Sequence, residues 1–144
     1  MSDFKGLYNI RDMVPNDKNF IMATLLRGIY YGDPYFTAIP KDIFMKNYKV
    51  IAETLLDSGK VNVKLACLKE DPDTILGYSI LSADYQCIIW IFIKSPWRKR
   101  GIGKSLLPQH PQAYMHLTPI GNELLHKFPG IVFNPFYPIT SRSL

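Results

Sequence analysis

The chain has 144 residues, 47% of them hydrophobic, with 17 Lys and Arg against 12 Asp and Glu, a composition that supports a packed core and excludes a disordered or low-complexity chain. No apolar run reaches the length of a membrane span, the first residues lack a signal-peptide core, and both cysteines, Cys67 and Cys87, lie inside apolar runs. A spanning segment and a disulfide framework are thereby excluded, and the expectation is one cytoplasmic domain over 1–144, monomeric or homodimeric, with reduced thiols, no metal and no membrane partner.

Residues 7–14 alternate as a strand, and Pro15-Asn16-Asp17 forms a turn that can cap a helix. The spacing of Phe20, Ile21, Leu25 and Ile29 predicts that helix from 17 to about 30, stopped by Gly32-Asp33-Pro34. Tyr30, Tyr31, Tyr35 and Phe36 crowd that stop, as a packed connection between helices would. A second helix is predicted over 41–56, where Phe44, Tyr48, Ala52 and Leu55 recur at helical spacing before Ser58-Gly59. Segments 61–68 and 75–81 read as antiparallel strands joined through Asp71-Pro72-Asp73. The most apolar run, 87–93, lies in a strand predicted over 86–94 that suits burial on both faces, and Pro96 ends it.

The loop after that strand carries the chemistry. Gly101 and Gly103 permit backbone conformations and close approaches that let successive N–H groups converge on an anion. Arg98, Lys99, Arg100 and Lys104 add charge, and the helix entered near Gly103 would add the positive end of its dipole. With Lys94 they make five basic residues and no acidic one, leaving 12 against 12 in the rest of the chain. The excess is local, which favours a discrete anionic ligand over a broad nucleic-acid surface. A solvated strand-to-helix turn of the same composition is the plainer alternative. A Walker loop requires glycine at Arg98, and the dinucleotide fingerprint requires a small residue at Leu106, so both patterns fail.

The pattern that fits is Arg98, Gly101 and Gly103 in Arg-x-x-Gly-x-Gly, preceded by a strand and followed by Leu106-Leu107. It resembles the coenzyme A pyrophosphate loop of the GNAT superfamily of N-acetyltransferases. Beyond it, Pro108 and Pro111 restrict the next helix to little more than 103–107, shorter than in typical members. Segment 112–118 then reads as a strand, 119–128 as a helix and 130–133 as a last strand, with 135–144 a Pro-containing tail. The order β-α-α-β-β-β-α-β-α-β is the GNAT order, implying an α/β (α+β) fold with a mixed, mostly antiparallel sheet flanked by helices.

The resemblance also implies an activity, an acetyl-CoA-dependent N-acyltransferase without metal, acting on a small-molecule or protein amine. It implies that Arg98, Lys99, Arg100, Gly101, Ile102, Gly103, Lys104 and Ser105 hold the pyrophosphate, and that the peptide groups of Ile91, Phe92 and Ile93 hold the pantetheine arm. The aromatic turn from Tyr30 to Phe36 would border the acceptor. The family's usual proton donor, a tyrosine, falls on His126, with Tyr114 and His116 as competing donors. The acid often found on the central strand has no counterpart, since Cys87 and Trp90 stand there, and water, Asp84 or Glu53 could replace it. Short chains with a clipped helix resemble phage-encoded members, one relative of which modifies adenine in DNA. The alternatives are thus a nucleic-acid-modifying enzyme, or a catalytically weak protein of this fold that binds nucleic acid or a host protein.

Overall fold

The computed structural model describes residues 6–99, 101–116, 123–124 and 126–137. Its spine is a six-stranded sheet in the order β1 (Tyr8–Asp12), β2 (Val61–Leu68), β3 (Ile75–Ser82), β4 (Cys87–Ile93), β5 (Ala113–Tyr114), β6 (Val132–Phe133). Pairing is antiparallel from β1 to β4 and parallel from β4 to β6. This is the mixed, mostly antiparallel sheet that the element order implies.

All positions of β3 are buried, because helices cover both faces of the sheet. On one face lie α1 (Lys18–Gly32) and α3 (Lys41–Asp57), whose Ile21, Leu25, Ile29, Phe44 and Ala52 pack on Leu65, Tyr78, Ile80 and Trp90. The Thr24 and Tyr78 hydroxyls, 2.7 Å apart, tie α1 to the sheet. The other face carries α4 (Ile102–Leu106), whose Ile102 and Leu106 pack on Tyr8, Ala66 and Leu76. The turn before α1 is held by Arg11, which donates to both carboxylate oxygens of the buried Asp17 at 2.7 and 2.9 Å, while Asp17 also accepts from the Val14 N–H.

A bulge in β4 decides what faces the site. Trp90 pairs with Ile80 and Ile88 with Leu81, so Ile89 is the extra residue. Ile89 and Trp90 both join the core under α1 and α3, and the alternation resumes with Ile93 on the α4 face. Just beyond Ile88 the sheet opens. Among the described residues, the Met115 N–H makes the last bond to β4, at 3.1 Å to the Ile88 carbonyl.

Several elements differ from the sequence expectation. Among the described residues, the strand predicted over 112–118 pairs only at Ala113–Tyr114. The last strand is Val132–Phe133 instead of 130–133. An unexpected short helix, α2 (Pro34–Thr37), forms where Asp33 caps the Tyr35 N–H at 2.9 Å with proline in the first turn. Of the helix predicted over 119–128, residues 123, 124, 126 and 127 are helical. Its start, the end of the preceding strand, Arg100 and the tail from 138 lie outside the described residues. No helix is long and apolar enough to cross a membrane among the described residues.

Candidate coenzyme and acceptor site

Where β4 and β5 part, no described strand pairs with the edge of β4. The Lys94 N–H donates to the Leu76 carbonyl at 2.8 Å, so in an antiparallel ladder Lys94 and Phe92 turn their peptide groups toward β3. Ile91 and Ile93, one residue out of step, turn theirs toward the gap. The Ile93 carbonyl there accepts the Arg98 Nε–H at 2.9 Å, which folds the first basic residue of the loop back along that edge.

The loop leaves β4 through a 3₁₀ turn at Ser95–Trp97. Lys99 at φ 61° and Gly101 at φ 87° both take the left-handed conformation. Such residues aim neighbouring N–H groups toward one concave side, and for Lys99 the conformation costs about 1–2 kcal/mol unless the site uses it. Gly103 matters for another reason: a Cβ there would stand 3.2 Å from Ile93 Cδ1, and that side chain would have to give by a few tenths of an ångström. Gly103 thus leaves α4 in close contact with the side chains of β4. The side chains of Arg98, Lys99 and Lys104 are exposed around this turn. Ser105 points elsewhere, its Oγ 2.8 Å from the Tyr8 hydroxyl.

These parts enclose a groove of about 270 Å³ on the α4 face, lined by Ile91, Ile93, Arg98, Lys99, Gly103 and Leu107 and closed by Glu123, Leu124 and Lys127. Opposite, on the α1 and α3 face, lies an apolar pocket of about 320 Å³ whose lining includes Leu25, Ile29, Tyr48, Leu55, Ile89, Met115 and His116. The two hollows flank the same gap from either side of the sheet. Such concave sites, apolar with few polar groups, are where small ligands bind.

Of the three residues read as donors, Tyr114 is 2% exposed and packs with Ile88, Leu124 and Ile131 next to the groove. His116 is 9% exposed, set edge-on to Trp90 with ring centroids 5.7 Å apart, and burial pushes its pKa down to about 4, with a small opposing effect from Asp33. His126 is exposed, and the groove is lined by its neighbours Glu123, Leu124 and Lys127. The structure therefore gathers Tyr114 and His116 around the gap and turns His126 outward. The substitutes considered for the base are occupied elsewhere: Asp84 accepts from Ser82 Oγ and the Tyr137 hydroxyl, both at 2.6 Å, and Glu53 lies 3.7 Å from Lys18 Nζ. Cys87 is buried in the core, where burial raises its pKa to about 12, so its thiol is inert. No three of His, Cys, Asp and Glu come together in a metal-binding arrangement among the described residues.

Within the aromatic turn, Tyr30 donates to the Ile39 carbonyl at 2.8 Å, and Tyr30 and Phe36 pack on Phe44. Packing accounts for these two rings, while Tyr31 and Tyr35 stay exposed. The pairing of His116 with Trp90 was not read from sequence. Its trace there is Gly28 inside α1: a Cβ at that position would stand 2.6 Å from Trp90 Cζ2, so the indole occupies space that only glycine leaves.

A search of solved structures places this architecture. A candidate acetyl transferase from Pyrococcus furiosus matches with a TM-score of 0.55 at 20% identity, over 69% of this chain and 68% of that one. A candidate acetyltransferase from Clostridium difficile 630 matches with a TM-score of 0.47 at 18% identity, over 69% and 66%. Spermidine N-acetyltransferase from Vibrio cholerae, in complex with CoA and spermine, matches with a TM-score of 0.40 at 13% identity, over 71% and 60%. The chain spans about two thirds of the length of the first two. No family model and no curated protein matches it. The fold is that of the GNAT acetyltransferases, and at these identities the likeness is one of fold.

Proposed function

We propose that this chain is an acetyl-CoA-dependent N-acyltransferase acting on an amine. The observation that carries the reading is a single groove in which the peptide edge of Ile91 and Ile93 runs into a left-handed, basic, glycine-containing loop. The residues fit a pantetheine diphosphate. A Cβ at Gly103 would crowd the groove against Ile93, as expected where backbone approaches a ligand. Peptide groups of Ile91 and Ile93 would bind the amides of the arm, while N–H groups from Gly101 to Gly103 with Arg98, Lys99 and Lys104 would bind the diphosphate. Since α4 has only five residues, the loop's own N–H groups and cations matter more than a helix dipole.

The coenzyme supplies an acetyl group activated as a thioester, and the protein's task is to place an amine against it and manage protons. Tyr114, beside Leu124 at the groove, is better placed than the outward His126 to give a proton to the departing sulfur. Calorimetry tests the reading directly. CoA should bind the wild type, and Gly103→Val, which fills the groove from α4, should weaken binding about tenfold or more while the protein remains folded. If CoA does not bind the wild-type protein, the proposal fails.

A further inference from the structure

The pocket on the α1 and α3 face has a composition that selects among amines. Its lining among the described residues is almost wholly apolar, and Lys60 is the only charged side chain on it. No carboxylate is on that lining among the described residues, so a polycationic acceptor would meet a like charge at Lys60 and no direct counter-charge inside the pocket. Burial in such surroundings favours an amine in its neutral form, the form able to attack a carbonyl. At the sheet end of the pocket stands His116, nine-tenths buried, with its ring edge-on to Trp90 and no hydrogen-bond partner among the described residues. Its ring nitrogens are not sealed in the core, unlike the unpartnered Trp90 Nε1 beside it, so the imidazole can offer a nitrogen to a ligand in the cavity.

We propose that this pocket takes a primary amine carried on an apolar body, an alkyl- or arylalkylamine, and that His116 accepts the proton of the attacking nitrogen. The inference rests on the transferase reading above. As the N–C bond forms and the C–S bond breaks, the sulfur leaves with the bonding pair and takes a proton, while the nitrogen's proton passes to the imidazole and from there to water. Because burial holds the imidazole neutral with a pKa of about 4, it is too weak to deprotonate a free alkylammonium. It takes the proton only once bond formation has made the N–H acidic, so the amine must arrive neutral, which the apolar walls favour. Among charged and titratable neighbours, Asp33 after α1 acts on both His116 and Tyr48 of α3, and its carboxylate would offset the imidazolium.

The test uses the whole chain with acetyl-CoA and compares phenethylamine with spermidine, following thiol release, alongside calorimetry of CoA and of phenethylamine alone. Phenethylamine should be the better acceptor by about tenfold or more in kcat/KM. Ile51, which lines the pocket yet is 58% exposed, tolerates a larger side chain, so Ile51→Trp should weaken phenethylamine binding and leave CoA affinity unchanged. His116→Gln should lower kcat by about a hundredfold or more while the affinities for phenethylamine and for CoA stay within about twofold. Spermidine preferred over phenethylamine, or an Ile51→Trp variant with unaltered amine binding, overturns the pocket assignment and leaves the transferase reading intact. Wild-type kcat in His116→Gln overturns the base. Absence of CoA binding in the wild type overturns the transferase reading, and this inference with it.

Discussion

Gly101 and Gly103 are both glycines of the loop motif, yet they matter for different reasons, and variants should separate them. Gly101 has open space around a notional Cβ but sits at φ 87°, whereas Gly103 lacks positive φ and faces Ile93. Gly101→Ala should cost about 1–2 kcal/mol of stability through backbone strain with a modest effect on CoA. Gly103→Ala should show the reverse balance, and urea unfolding beside CoA calorimetry distinguishes the two. His116 makes a second prediction, independent of catalysis. Its folded pKa, about 4, lies below the ordinary 6.5, so the unfolded state binds the proton more readily. The stability that neutral burial contributes is complete above about pH 6.5 and is lost as pH falls toward 4. Asp17, held down chiefly by its Arg11 hydrogen bonds, loses its contribution in a lower window, as pH falls below the ordinary carboxylate value of 3.8. Urea midpoints of the wild type should therefore decline between pH 6.5 and 4.5, and His116→Gln should flatten that decline.

At the scale of elements, α4 is the weakest support of the site. It ends at Leu106 because the prolines just beyond cannot continue it, and its last carbonyl is caught by the buried Ser79 hydroxyl of β3 at 2.8 Å. Ser79→Ala leaves that carbonyl without its donor, which should cost about 1–3 kcal/mol and lower CoA affinity, because α4 fixes Gly103 against Ile93. Thermal unfolding with and without CoA reads both effects. The clipped helix was legible in the sequence because proline acts locally, and so was β4, whose apolar run needs two covered faces. The truncation of β5 was not legible. Where β5 stops pairing with β4 is a matter of register between strands, which no residue type at 112–118 announces. The same holds for the site. Arg98, Gly101 and Gly103 declare themselves by spacing, whereas the pocket brings together Ile29, Tyr48 and His116 from distant segments. Only the glycine at 28 hinted that something large pressed on α1.

For the whole molecule the question is whether a basic loop serves a coenzyme or a nucleic acid, since both offer phosphates. The chain is +5 overall, and that excess equals the charge of the segment from Lys94 to Lys104. Among these, Lys94 Nζ lies 5.3 Å from the centre of the Phe20 ring, and Arg98, though exposed, is tied by its Nε–H to the Ile93 carbonyl, so part of the charge is held against the protein around the groove. That groove is a small concave site with an apolar floor of Ile91 and Ile93, which suits a diphosphate with an attached chain better than a duplex. A nucleic acid bound through so few cations would be held by counterion release alone, weakly and with a steep loss on adding salt. Saturating CoA should therefore displace any DNA or RNA from the protein, and raising salt from about 50 to 200 mM should abolish nucleic-acid binding while CoA still binds. Fluorescence anisotropy of labelled single- and double-stranded oligonucleotides, with and without CoA, makes the comparison. Nucleic-acid binding that survives both salt and saturating CoA would place the principal ligand on another surface and sink the coenzyme reading of the charge.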